Sequence, residues 1–276
     1  MLFRSKKEKS FWQNLNPELH ICDEVFLKQD VFHFRQKVLD YVKDQIQNKG
    51  YFHIDPLEWL VPISSLAQTI DRLRKNKIQP VFCFVYDEYW LLFYQLHQLI
   101  YSVLGDYVKL SAFWAWHVDP SKSESGWGIH RDQVGSLDKK GNPQHLSIWI
   151  PLTEATKLNG CIHVVPADKD PAYNIQTANR NSFDRNDVTV LAATAGSVLG
   201  WTGELIHWGG TASPAASEPR ISVSLEFQQQ DIVPFIGTAH QYNDFFTFEQ
   251  RLEFIREQSL RYRHMDQYFP MSVQPS

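Results

Sequence analysis

The chain has 276 residues, 43% hydrophobic and 21% charged, an ordinary globular composition with enough apolar surface for a sizeable core. A formal charge of −4, from 27 basic against 31 acidic residues, gives no electrostatic reason to expect nucleic acid or an anionic membrane as partner. Cys22, Cys83 and Cys161 stand far apart with no C-x-x-C spacing, which argues against structural disulfides and a thiolate zinc site and fits a reducing cytoplasm.

The N-terminus, MLFRSKKEKSFWQN, is charged and lacks the apolar core of a secretory signal. No stretch approaches the roughly 18 apolar residues of a membrane span, so a cytoplasmic protein is expected. Residues 1–106 read mainly as helix. Val31, Phe34, Val38, Leu39, Val42 and Ile46 recur near a 3.6-residue period and predict a helix over 31–48, with Gly50 as its stop. Ser64, with Gln68 behind it, opens a shorter helix through Leu73. Pro80–Tyr86 (PVFCFVY) reads as a strand or buried extended piece, and Tyr89–Leu104 as a buried helix ending at Gly105.

From Tyr107 short runs rich in Val, Ile, Trp and Phe alternate with turn signals such as Asp119-Pro120, Asn159-Gly160 and Ser213-Pro214. Strands are expected at 107–118, 146–152, 161–165, 188–191, 197–199, 205–208 and 220–227, followed by a helix over 246–262. This pattern predicts an all-β sandwich or jelly roll with flanking helices rather than a parallel α/β sheet. The expected organisation is one domain over 1–276: a helical buttress over 1–106, a β core over 107–228 and a C-terminal helical segment over 229–276.

The chemistry concentrates in Gly128-Ile129-His130-Arg131-Asp132, answered downstream by His207 and Arg220. In an extended segment residues i and i+2 share a face, so His130 and Asp132 can reach one ion while Arg131 points away. With His207 they form a 2-His-1-carboxylate set whose open positions suit non-haem Fe(II). His117-Val118-Asp119 is a second His-x-Asp, but Pro120 turns the chain out of its strand and His117 reads as a satisfied strand-end residue. Along β-alternation Arg220, Ser222 and Ser224 share one face while Ile221, Val223 and Leu225 share the other. A guanidinium fork with a neighbouring hydroxyl suits the carboxylate of a small diacid. Nine Trp and 14% aromatic residues fit either a large core or a walled pocket. Candidate substrate-facing residues are Trp127 and Gln133, which flank the His-x-Asp pair, Trp201 upstream of His207, and Trp116 or Trp114 on the strand leading in.

The order Gly-Trp-Gly-Ile-His130-Arg-Asp132, Leu146-Ser-Ile-Trp149-Ile-Pro-Leu-Thr153, Asn159-Gly160-Cys-Ile-His-Val-Val-Pro166, Gly196-Ser-Val-Leu, His207 and Arg220-Ile-Ser222 resembles the phytanoyl-CoA dioxygenase-like family of Fe(II)/2-oxoglutarate-dependent oxygenases. The resemblance covers about residues 107–228. It implies a double-stranded β-helix, cupin-like, with His130, Asp132 and His207 on Fe(II) and Arg220 on the distal carboxylate of 2-oxoglutarate. It also places Trp149 at the co-substrate pocket and matches Ser222 to an Arg-x-Ser pattern. The implied reaction couples decarboxylation of 2-oxoglutarate to succinate and CO2 with oxidation of a substrate C–H bond. Because Asp132 is a carboxylate rather than a small residue, hydroxylation is expected over halogenation. Where the family has Gly-Ser-His after the proline, this chain has Ala167-Asp168-Lys169, which puts a different turn or substrate mouth there. Nothing basic enough for a coenzyme A pyrophosphate is evident, so the expected partners are a small metabolite and O2, on a monomer or homodimer. Two other classes stay open on the residues alone: a jelly-roll binding module with a vestigial metal site, and a cupin-like zinc enzyme activating water.

Overall fold

The structure, a computed structural model, describes residues 8–23, 30–175 and 182–263. Residues 1–7, read above for the absence of a leader, and residues 264–276 of the C-terminal segment lie outside the described residues. Among the described residues five α-helices precede the main run of strands: α1 (Lys9–Leu15), α2 (Gln36–Lys49), α3 (Ile63–Lys75), α4 (Asp87–Tyr94) and α5 (His97–Leu104). The strands are β1 (Tyr51–Ile54), β2 (Tyr107–Val118), β3 (His145–Pro151), β4 (Ile162–Val165), β5 (Thr189–Leu191), β6 (Val198–Thr202), β7 (Ile206–Gly209), β8 (Arg220–Gln229) and β9 (Ala239–Gln241). Helix α6 (Phe248–Arg261) follows, with Thr247 and Gln250 forming a capping box at its start.

Helix α2 buries Leu39, Val42 and Ile46 and ends at Gly50, whose φ of 76° is the left-handed turn expected of glycine. It starts five residues later than the periodicity predicts, at Gln36 rather than Val31. Residues 31–35 are extended, because the Phe32 N–H donates to the Gln95 carbonyl (2.9 Å) and the Phe34 N–H to Gln98 Oε1 (2.6 Å). The same contact marks where the expected 89–104 helix divides: α4 and α5 meet at Gln95–Leu96, and the Gln95 carbonyl turns aside to receive Phe32. Pro80–Tyr86 is not a strand but a buried 3-10 helix over Pro80–Val85, with Pro80 in its first turn. A continuous apolar run has no periodicity to separate the two, and proline fits a helix start better than a sheet interior.

All strand pairing is antiparallel, in a six-stranded sheet ordered β1-β6-β3-β8-β2-β9 and a three-stranded sheet ordered β5-β4-β7. The two sheets form an open double-stranded β-helix, not a closed barrel. Strand β1, inside the stretch that reads as helical, adds to the edge of the large sheet by pairing Phe52 with Gly200. Four residues are too few for alternation to show in the sequence.

Alternation gives the large sheet two different faces. Leu146, Ile148 and Ile150 of β3 and Ile221, Val223, Leu225 and Phe227 of β8 pack with the helices in one apolar cluster. On the opposite face Trp149, Leu199 and Trp201 meet Ile162, Val164 and Leu191 of the small sheet. The helical part is therefore bound to the sheet by a shared core, and the side away from the helices is left for chemistry. Among the described residues no helix is long and apolar enough to cross a membrane.

Candidate active site

The segment leading to Asp132 runs irregularly beside β7. His130 and His207 form an isolated antiparallel bridge, exchanging both backbone bonds at 3.1 and 3.0 Å. Directly opposed residues project to the same side of a ladder, so residues 77 positions apart place their imidazoles 4.3 Å apart. Asp132, two residues beyond His130, joins them. One ligand atom from each of the three lies within 4.8 Å of the others, with Asp132 Oδ1 3.3 Å from His130 Nε2 and 3.5 Å from His207 Nε2.

The atoms behind these three orient them for a metal. His130 Nδ1 donates to the Gly128 carbonyl (2.7 Å) and His207 Nδ1 to the Leu205 carbonyl (3.0 Å). That tautomer leaves both Nε2 lone pairs toward the centre. Asp132 Oδ2 accepts from the Ser147 hydroxyl (2.6 Å) and the Trp201 indole N–H (2.8 Å), leaving Oδ1 for an ion. Burial pulls the His207 pKa down to about 4, so its ring is neutral and able to ligate. For Asp132 burial opposes ionisation, but His207, His130 and Ser147 outweigh it and hold the carboxyl far below its ordinary range. Burial likewise opposes charge on His130, and the Asp132 hydrogen bond and charge reverse it, raising the pKa.

Arg220 begins β8 on the same face and is 1% exposed. One guanidinium nitrogen donates to Ser222 Oγ (2.8 Å), and the group lies 5.8 Å from the Trp149 ring centre. Its Nε and second terminal nitrogen are buried without an acceptor among the described residues. Burial lowers its pKa to about 10, which leaves it charged at neutral pH. A buried cation with two unused donors is costly unless an anion joins it. The backbone makes room for this group: a Cβ on Gly126 or on Gly209 would meet the second terminal nitrogen at 2.8 or 3.1 Å, and the two glycines face each other. At Gly128, by contrast, a Cβ would meet open space.

An open cavity contains the ligand atoms of the triad and is walled by Trp116, Trp127, Trp149, Trp201 and Arg220. The candidate substrate residues therefore separate. Trp127 stands 5.7 Å from the His130 ring and 5.4 Å from that of Trp116, and Trp114 lines the same wall. Trp201 lines the cavity too, but its N–H is committed to Asp132. Gln133 does not reach the cavity. It follows Asp132 by one residue and so points to the opposite side, its main chain held by the Gly203 carbonyl (2.9 Å) and the Ser136 hydroxyl (2.7 Å). Ser222 is buried beside Arg220 as the alternation predicts.

The rival pair does not converge on a metal. His117 Nε2 faces Asp71 at 3.4 Å, and Asp119 caps the turn at Pro120–Lys122 by accepting from the Ser121 N–H. Arg131 points away from the triad as expected and forms a buried 2.7 Å ion pair with Asp170. The departing turn after Pro166 is a short 3-10 helix whose Asp168 bonds Lys49 of α2 (2.6 Å).

Three cavity residues escape the sequence reading. Ser147 alternates with Trp149 on β3, and Glu226 continues the Arg220–Ser222–Ser224 alternation on β8, so the signal for both was present. Tyr262, just past α6, carries no such signal and arrives only by tertiary packing, its ring 4.4 Å from Trp127.

A family model for phytanoyl-CoA dioxygenase matches residues 18–218. Among curated proteins none matches the chain. Solved structures with the same fold include the epimerase SnoN in complex with Fe3+, alpha ketoglutarate and nogalamycin RO, at 12% identity and TM-score 0.56, covering 75% of this chain and 96% of that one. The non-heme monooxygenase ThoJ gives 13% identity and TM-score 0.57 over 82% and 98% of the two chains. AviO1 from Streptomyces viridochromogenes Tue57 gives 17% and 0.55 over 71% and 97%.

Proposed function

The chain belongs to the phytanoyl-CoA dioxygenase family, and from that premise we propose that it is an Fe(II)- and 2-oxoglutarate-dependent dioxygenase that hydroxylates a small molecule, releasing succinate and CO2. His130, Asp132 and His207 would hold the iron, and Arg220 with Ser222 would hold the distal carboxylate of 2-oxoglutarate beside Trp149. The donor set fits: two imidazole Nε2 atoms and one carboxylate oxygen converge, each fixed from behind. Iron and 2-oxoglutarate together supply the oxidising chemistry when O2 is present.

The rest is the work of the chain. Ser147 and Trp201 keep Asp132 from rotating, so that one carboxylate oxygen serves the ion and the remaining positions stay open. Arg220 fixes the co-substrate from its far end, and the aromatic wall excludes water and limits where a substrate carbon can lie. Arg220 is the observation that carries the reading. Its Nε and second terminal nitrogen, buried without an acceptor among the described residues, suit a carboxylate, which neither a water-activating zinc site nor a vestigial module supplies. Among the described residues Arg220 is the only Arg or Lys lining the cavity, so nothing there favours a coenzyme A pyrophosphate.

The test is succinate formation by Fe(II)-loaded protein with 2-oxoglutarate and O2, against His207→Ala. Succinate above that control, dependent on both iron and O2, is expected. Equal succinate from the two proteins across a broad substrate panel, with no Asp132-dependent Ni(II) binding, would overturn the assignment.

A further inference from the structure

Glu226 sits in the cavity with no role in holding the ion or the co-substrate. It is 13% exposed and follows Arg220, Ser222 and Ser224 on the inward face of β8. Its cross-strand neighbour is Ser147, the residue that fixes Asp132, so Glu226 lies one residue from the metal ligand set. Its Oε2 accepts from His145 Nε2 at 2.8 Å, and Oε1 bonds none of the described residues.

The His145 ring is fully buried, and its Nδ1 has no partner among the described residues. In the loaded site proposed above, the divalent ion and Arg220 balance Asp132 and the two carboxylates of 2-oxoglutarate. Glu226 is then a carboxylate that neither the ion nor Arg220 balances.

Around it the wall is aromatic. Trp127 stands 6.0 Å from Trp114 and 5.4 Å from Trp116, and Tyr262 is 5.2 Å from Trp114. Burial first, then the charges of Glu226 and Asp132, push the Tyr262 phenol above its ordinary range, so this wall is neutral. Electron-rich ring faces beside one carboxylate recognise an organic cation.

Resting on the oxygenase reading, we infer that the substrate carries a protonated amine, seated between Glu226 and the rings of Trp114, Trp116, Trp127 and Tyr262. The carboxylate would accept the ammonium N–H through Oε1, while His145 holds the carboxylate from behind. The amine thereby sets which carbon of the substrate faces the ion.

The experiment compares three probes of one shape and different charge: 2-phenylethylamine, 2-phenylethanol and phenylacetate. Binding is followed by calorimetry and by Trp fluorescence, with Ni(II) and 2-oxoglutarate present and again without them. The amine is expected to bind at least about tenfold tighter than the alcohol, the size of one charge-assisted hydrogen bond, with phenylacetate weakest. Glu226→Gln keeps an acceptor for His145 and is expected to reduce the amine-to-alcohol ratio to near one without lowering the melting temperature. Trp127→Leu keeps the carboxylate and apolar bulk while removing a ring face, and is expected to narrow the ratio several-fold. Equal binding of all three probes, no amine binding, or a preference unchanged in both variants would overturn the inference. Ni(II) and 2-oxoglutarate titrations of the same samples judge the oxygenase reading separately. If these fail while the amine preference depends on Glu226, the cation site stands and the oxygenase reading falls.

Discussion

The two faces of the six-stranded sheet are made from the same strands and do opposite work. On β3 and β8 the residues Leu146, Ile148, Ile150, Ile221, Val223 and Leu225 enter the helix-packed core, while their immediate neighbours Ser147, Trp149, Arg220, Ser224 and Glu226 face the cavity. Stability and chemistry are thus interleaved at a spacing of one residue. A slip of one residue in the β3–β8 register would place Arg220 in the apolar core and Ile221 in the cavity. This explains how a site can rest on rigid elements and still hold an unpaired charge: the face behind it supplies the packing that offsets the strain.

The largest expected effect comes from the apolar face. Phe227→Ala, at a buried ring packed against Tyr107 (5.7 Å) and Phe93 (6.3 Å), should cost about 3–5 kcal/mol in urea denaturation. Ni(II) affinity measured below the transition should be unchanged. If it weakened along with stability, the two faces would not be separable.

Arg220→Ala tests the other face. Truncating one partner of a buried charge pair costs about 2–5 kcal/mol, so 2-oxoglutarate affinity should fall by roughly 30-fold or more while Ni(II) affinity holds. The ligand-free protein should lose less stability than Phe227→Ala does, because the unpaired guanidinium is itself unfavourable there. Arg220→Lys should recover little, since an ammonium lacks the planar fork.

Ser147→Ala sharpens the comparison within the cavity face. Losing the 2.6 Å bond to Asp132 should weaken metal binding by about 10–100-fold, read by Ni(II) titration, with a melting temperature near wild type.

The smallest effect concerns an exception to the division. Lys109 of β2 pairs across from Phe227 and is buried among Trp90 and Phe246, donating to the carbonyls of Tyr242 and Asp244. Burial lowers its pKa to about 7, with Asp244 opposing and Arg251 adding to the shift. Its folded form therefore binds fewer protons than the unfolded chain between about pH 7 and 10.5. The penalty is complete below that window, and stability rises with pH through it. Between pH 6.5 and 9 the urea midpoint of wild type should rise relative to that of Lys109→Met; parallel midpoints would place the ammonium in solvent.

Much of this division was legible in the sequence. The alternation from Arg220 to Phe227 separated cavity residues from core residues correctly, and carried on to Glu226 it would have found the carboxylate. The strand over 107–118 and the helix stop at Gly50 were equally local matters, fixed by side-chain period and by the left-handed turn glycine permits. The 3-10 helix at Pro80–Val85 and the division between α4 and α5 were not legible, because both depend on partners elsewhere in the fold. Gln133 was misplaced because adjacency in sequence is opposition in an extended chain.

By itself the sequence determined which residues can bind a metal and a carboxylate, since donor chemistry and two-residue spacing are written locally. Only the tertiary structure decided that His207 stands opposite His130, that Asp132 presents one oxygen, and that Arg220 keeps two donors free. Those facts depend on strand pairing across 77 positions and on the approach of Gly126 to Gly209, distances that no local pattern encodes.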